Sequence, residues 1–131
     1  MDQRTPVFYD RDCGVCRTIL AGLLAWDHDG RLRPVEIQSP EGRALLGDMT
    51  EDEQLDSWHI GADGGIRSAG AAFPDLFDLL PGGGPLAELS RRAPGPSERA
   101  YRLVAGNRSK LSKLVPGAVR DRADALITRR R

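Results

Sequence analysis

The chain has 131 residues, 19 basic and 19 acidic side chains, 40% hydrophobic content and a mean hydropathy of −0.41. This suits a single domain with one modest core, and the longest near-apolar stretch, Thr18–Trp26, falls far short of the ~20 residues a membrane-crossing helix needs. The zero net charge is the sum of two unlike parts, with residues 1–108 at −5 and residues 109–131 at +5.

Met1-Asp2-Gln3-Arg4 carries an acidic residue and no apolar run follows it, so no signal peptide is expected. Pro6-Val7-Phe8-Tyr9 reads as a short strand, broken by Asp10-Arg11-Asp12. From Cys13 the pattern turns helical, with Val15, Cys16, Ile19, Leu20, Leu23 and Leu24 on one face. Asp12 is the expected N-cap, its carboxylate accepting first-turn N–H groups. His28-Asp29-Gly30 ends the helix, with Gly30 in the left-handed position after the last turn. Leu32–Ile37 alternates as a second strand, and Pro34, which cannot donate to a ladder, sends it to a sheet edge.

Ser39-Pro40-Glu41 opens a short helix running to about Gly47, Ser at the N-cap and Pro at the first position, and Thr50 to Gln54 adds a helical turn. Trp58–Ala62 is a third strand, Asp63-Gly64 a tight hairpin turn, and Ile66–Ala69 the returning strand. Gly70–Leu80 reads as a helix with Pro74 in its first turn. After the Pro81–Pro85 break come two helices, Leu86–Arg92 and Ser97 to about Val115, the latter with Ala100, Leu103, Val104, Leu111 and Leu114 on one face and Pro116-Gly117 as its stop. The order β-α-β-α-β-β-α predicts an α/β, thioredoxin-like sandwich. Its four-stranded mixed sheet should run 2-1-3-4, with flanking helices and a C-terminal helical extension. Residues 1–117 are expected as a single domain, its extension beginning at about residue 85, and 118–131 as a basic tail outside the chemistry.

Cys13-Gly14-Val15-Cys16 stands where the first strand gives way to the first helix. A thiolate there is stabilised by unpaired N–H groups and the positive end of the helix dipole, which raises the population of the nucleophile. Cys16 lies on the same face, where it can resolve a mixed disulfide formed at Cys13. Gly14 is expected to keep the approach open. Asp10 and Asp12 oppose the helix effect by like-charge repulsion, and Arg11 and Arg17 offset part of it. Either carboxylate reads as a structural group or as the base that takes the Cys16 proton. His59, opening the third strand, reads as a half-buried strand histidine or as a proton-transfer partner. Structural zinc needs four ligands, and beyond the cysteines only His28 and His59 remain, neither with suitable spacing. No cofactor or metal is expected.

Tyr9-Asp10-Arg11-Asp12-Cys13-Gly14-Val15-Cys16 resembles the opening signature of the DCC family of thiol-disulfide oxidoreductases. The similarity continues through Val35–Ser39 with Glu41-Gly42, Asp56–His59 with Asp63-Gly64 and Gly70–Ala72, and Tyr101 with Val104–Arg108. It covers about residues 5–110 and implies a thioredoxin-like fold with a dithiol/disulfide site at Cys13 and Cys16. Arg108 matches a family motif, and reads as a site-adjacent cation or as a helix-packing residue. Leu55-Asp56-Ser57-Trp58 lacks the proline that ordinary thioredoxins carry before the third strand, which argues for a narrower or different thiol substrate.

The function expected is thiol-disulfide exchange of the protein-disulfide reductase type in a reducing cytoplasm. The partners are a disulfide-containing protein or small thiol and an electron donor. The alternative is a redox-sensing or protein-interaction module without turnover. The Arg129-Arg130-Arg131 end lacks interleaved aromatics, so no specific nucleic acid is expected, and no membrane.

Overall fold

The computed structural model describes residues 3–62 and 65–131, so the expected turn at Asp63-Gly64 lies outside the described residues. Its elements are β1 (Thr5–Tyr9), α1 (Gly14–Trp26), β2 (Leu32–Glu36), α2 (Pro40–Leu45), α3 (Glu51–Asp56), β3 (His59–Ala62) and β4 (Gly65–Ser68). A 3₁₀ turn (Ala69–Ala72) leads into α4 (Phe73–Leu79), then α5 (Gly84–Arg92), α6 (Pro94–Gly106), α7 (Arg108–Leu114) and α8 (Gly117–Arg130). The sheet runs β2-β1-β3-β4, with β1 and β2 parallel and the other neighbours antiparallel, the expected thioredoxin-like arrangement. Pro34 sits in the edge strand β2, paired in register with Val7. Gly30 adopts φ +64°, the left-handed conformation expected after the first helix. Among the described residues no helix is long and apolar enough to cross a membrane.

Alternation along the strands divides the core. Val7, Tyr9 and Ile60 face α1 and α4, joining Leu20, Leu24, Leu76 and Leu80. Phe8 faces the other side, with Val35, Ile37 and Leu46. The α2 and α3 entries follow their side chains. Ser39 Oγ accepts the Gly42 N–H at 3.0 Å, and Thr50 with Glu53 forms a reciprocal capping box.

Three stretches differ from expectation. The helix read from Gly70 begins as the 3₁₀ turn, and Phe73 is its first α-helical residue. The helix read as Ser97–Val115 starts earlier, at Pro94, and breaks at Asn107, whose side-chain amide bonds the Leu103 carbonyl at 2.7 Å. That break splits the expected apolar face, and Leu103 and Leu114 are 69% and 76% exposed. The stretch expected as a basic tail is a helix. α8 packs along α1 and buries Ala123 and Ile127 in the core. At its end Arg130 bonds the carbonyl of Leu24 at 2.9 Å and the buried carboxylate of Asp27, which also accepts the N–H groups of Arg31 and Leu32.

Candidate active site

β1 stops at Tyr9, and a turn delivers the chain to α1. The Asp10 carbonyl accepts the Cys13 N–H at 3.2 Å, and its carboxylate accepts the Asp12 N–H at 2.9 Å and the Gln38 side-chain amide at 2.7 Å. Gln38 also accepts the Arg11 N–H at 3.2 Å, so the exit of β2 clamps the turn before the cysteines. This local order explains a correction. Asp12 does not cap α1; it is exposed and one residue too early, and Cys13 is the N-cap. The Cys13 sulfur accepts the Cys16 N–H at 3.3 Å, and the two cysteines are disulfide-bonded with their Cα atoms 5.2 Å apart.

The motif is covered rather than open. The backbone N–H of Val15, between the cysteines, donates to Ser112 Oγ of α7 at 3.1 Å. A Cβ placed on Gly14 would meet Ser112 Cβ at 3.6 Å and Arg120 Cδ of α8 at 3.7 Å. Gly14, expected to leave an approach, is buried beneath α7 and α8, and Cys13 is 8% exposed, while Cys16 is half-buried. A cleft of about 330 Å³ lies beside the motif at the ends of β1 and β2, walled by Tyr9, Arg11, Asp12, Arg17 and Arg131 among others. Arg17 crosses this region, donating to the Arg11 carbonyl and pairing with Asp124 at 3.2 Å.

Other expected residues lie elsewhere. His59 pairs with Phe8 across the ladder, so it points to the face opposite α1. It is 1% exposed, with Nε2 on the Gln54 carbonyl at 2.8 Å and Nδ1 against the Ser68 hydroxyl. Burial pushes its pKa down. The unfolded chain therefore takes up a proton near the ordinary value of about 6.5 while the folded one does not. Stability should fall as the pH drops through that value toward the lower folded pKa. Urea midpoints between about pH 7.5 and 5.5 check this, and a His59→Gln protein should lose that part of the slope.

Arg108 donates to the Leu55 carbonyl at 3.2 Å, holding α7 to the segment before β3. On the same segment the Trp58 N–H donates to the Tyr101 hydroxyl of α6 at 3.2 Å, and burial raises the Tyr101 pKa. Sequence reasoning missed Ser112 and Arg120 as neighbours of the site, since no local pattern ties them to a motif about a hundred residues earlier. Gln38 had a signal, its place at the exit of the second strand. Among the described residues no group of three His, Cys, Asp or Glu is arranged to hold a metal ion. The family model of DCC1-like thiol-disulfide oxidoreductase matches residues 7–114, which includes Ser112 and stops short of α8. No curated protein and no solved structure matches the chain.

Proposed function

The chain belongs to the DCC1-like thiol-disulfide oxidoreductase family, and from that premise we propose that it reduces a disulfide substrate through Cys13 and Cys16 in a reducing cytosol. The observation that carries the reading is the Cys13–Cys16 bond at the start of α1, with the Cys13 sulfur on a first-turn N–H. In the reduced protein the Cys13 thiolate attacks one sulfur of the substrate disulfide, forming a mixed disulfide and expelling the other half as a thiolate. The Cys16 thiolate then attacks the Cys13 sulfur, expels the second half and closes the Cys13–Cys16 bond. Two electrons pass from the dithiol to the substrate, and the protons end on the two product thiols. A cellular thiol reductant, acting by the reverse exchange, restores the dithiol.

Within this proposal Asp10 serves the turn. We assign Asp12 to accepting the Cys16 proton, supported by its exposure on the cleft wall and by Cys13 taking the capping role. Arg17 and Arg108 act as packing cations, and His59 as a core residue on the far face of the sheet. The cover over Gly14 also supports a second reading, in which the pair switches the docking of α7 without turnover.

The test uses Cys16→Ser protein, reduced and then exposed to oxidised glutathione and, separately, to a protein disulfide. A mixed disulfide on Cys13, read by mass, is expected with at least one of them, and none in Cys13→Ser. Absence of any adduct overturns the proposal. Adduct formation without catalytic turnover by the unaltered pair favours the switch.

A further inference from the structure

Cys13 is 8% exposed, so little water reaches its sulfur and a thiolate there depends on donors from the protein. The first turn of α1 is the natural source. Its Cys16 N–H already serves the Cys13 sulfur, but the Val15 N–H is committed to Ser112 Oγ. A hydroxyl that accepts such a bond still carries its own hydrogen. Among the described residues, no acceptor takes the one on Ser112, although its oxygen lies 3.7 Å from the Cβ position of Gly14, the residue next to Cys13.

We propose that Ser112 is a positioning residue of the reaction: its hydroxyl relays the Val15 N–H to the Cys13 sulfur once the disulfide opens. In the closed disulfide that sulfur is a weak, neutral acceptor and makes little demand. On reduction it becomes an anion released from Cys16, and the Cys13 side chain turns to meet the Ser112 hydroxyl, which donates to it while still accepting from Val15. A hydroxyl polarised by one hydrogen bond is a better donor in the next. The relay stabilises the thiolate, and with it the dithiol form and the leaving of Cys13 during resolution. The charged side chains bordering the motif are Asp10, Arg11, Asp12 and Arg17 around the start of α1, and Arg120 and Asp124 on α8. All of them remain when Ser112 alone is changed.

The inference rests on Cys13 being the attacking thiol, and the experiment separates the two. In a Cys16→Ser background, thiolate absorbance against pH is compared for Ser112, Ser112→Ala and Ser112→Thr. The alanine should lower the neutral-pH thiolate fraction about tenfold, the scale of one charge-assisted hydrogen bond, and the threonine should restore it. With both cysteines present, Ser112→Ala should shift the equilibrium with a glutathione buffer toward the disulfide by a similar factor. Loss of a mere helix contact would lower the melting temperature and leave both quantities unmoved. Should alanine loosen α7, the Ser112→Thr and Ser112→Val pair carries the same comparison, differing only in hydroxyl against methyl. An unchanged or larger thiolate fraction, with the Val15 N–H serving the sulfur directly, overturns the relay. If Cys13 forms mixed disulfides normally in that case, the proposed function stands without it. If it forms none with Ser112 intact, the proposed function itself fails.

Discussion

An Arg130→Met protein is expected to lose about 3–5 kcal/mol of stability, the scale for removing one partner of a buried ion pair. The Asp27 side chain has no exposure to solvent, and Arg130 is its ion-pair partner. The N–H groups of Arg31 and Leu32, at 3.0 and 2.9 Å, would still reach the carboxylate after the substitution. They supply hydrogen bonds but no countercharge, so the folded state would hold an uncompensated anion. Urea unfolding measures the loss, and Asp27→Asn in the same chain should recover part of it by removing the stranded charge. A loss below about 1 kcal/mol, the value of a surface pair, would show that α8 is only laid against the body. Shortening the chain by residues 118–131 should cost more, since Ala123 and Ile127 leave the core with Arg130. The same deletion looks harmless if those residues are read as a tail.

Gly70→Ala is expected to cost about 2–3 kcal/mol, at the upper end for overpacking. Its Cβ would stand 2.7 Å from both the N and Cα of Glu98, which are backbone atoms of α6 and cannot turn aside. Relief requires α6 to retreat, and that breaks the bond between the Gly70 N–H and the Glu98 carboxylate, 2.9 Å in the intact protein. The effect should extend beyond stability. α6 carries Tyr101, which holds the Trp58 N–H, and continues through Asn107 into α7 and Ser112. A thermal melt together with the rate of Cys13 alkylation in the reduced protein checks both parts. An unchanged melting temperature would mean that α6 rides loosely on the 3₁₀ turn.

The architecture and the place of the cysteines were legible because their signals are local. Period-two and helical patterns, Pro34 at an edge and Gly30 past a helix end each depend on a few adjacent residues, and together they leave one strand order. The cap at α1 was harder. Asp12 and Cys13 are adjacent candidates, and the choice turned on Gln38 and Asp10 fixing the turn so that the sulfur, not the carboxylate, met the first-turn N–H. The helix α8 gives almost no periodic signal. Only Ala123 and Ile127 are buried, among four arginines, and its docking depends on Arg130 reaching Asp27 across 103 positions of sequence. The cover over Gly14 follows from that docking and was invisible for the same reason. So was Ser112, a serine like any other until α7 brings it to Val15.

The tie between Arg130 and Asp27 also bears on when the chain can finish folding. Polypeptides leave the ribosome N-terminus first, so the strands and α1 can pair long before residue 130 is made. Through that interval the Asp27 carboxylate has no arginine, Ile127 has not entered the core, and neither Ser112 nor Arg120 lies over the cysteines. A link of such sequence separation closes late and carries a high loop-closure cost. In the nascent chain, Cys13 and Cys16 therefore stand for a time without the cover that Ser112 of α7 and Arg120 of α8 later place over Gly14.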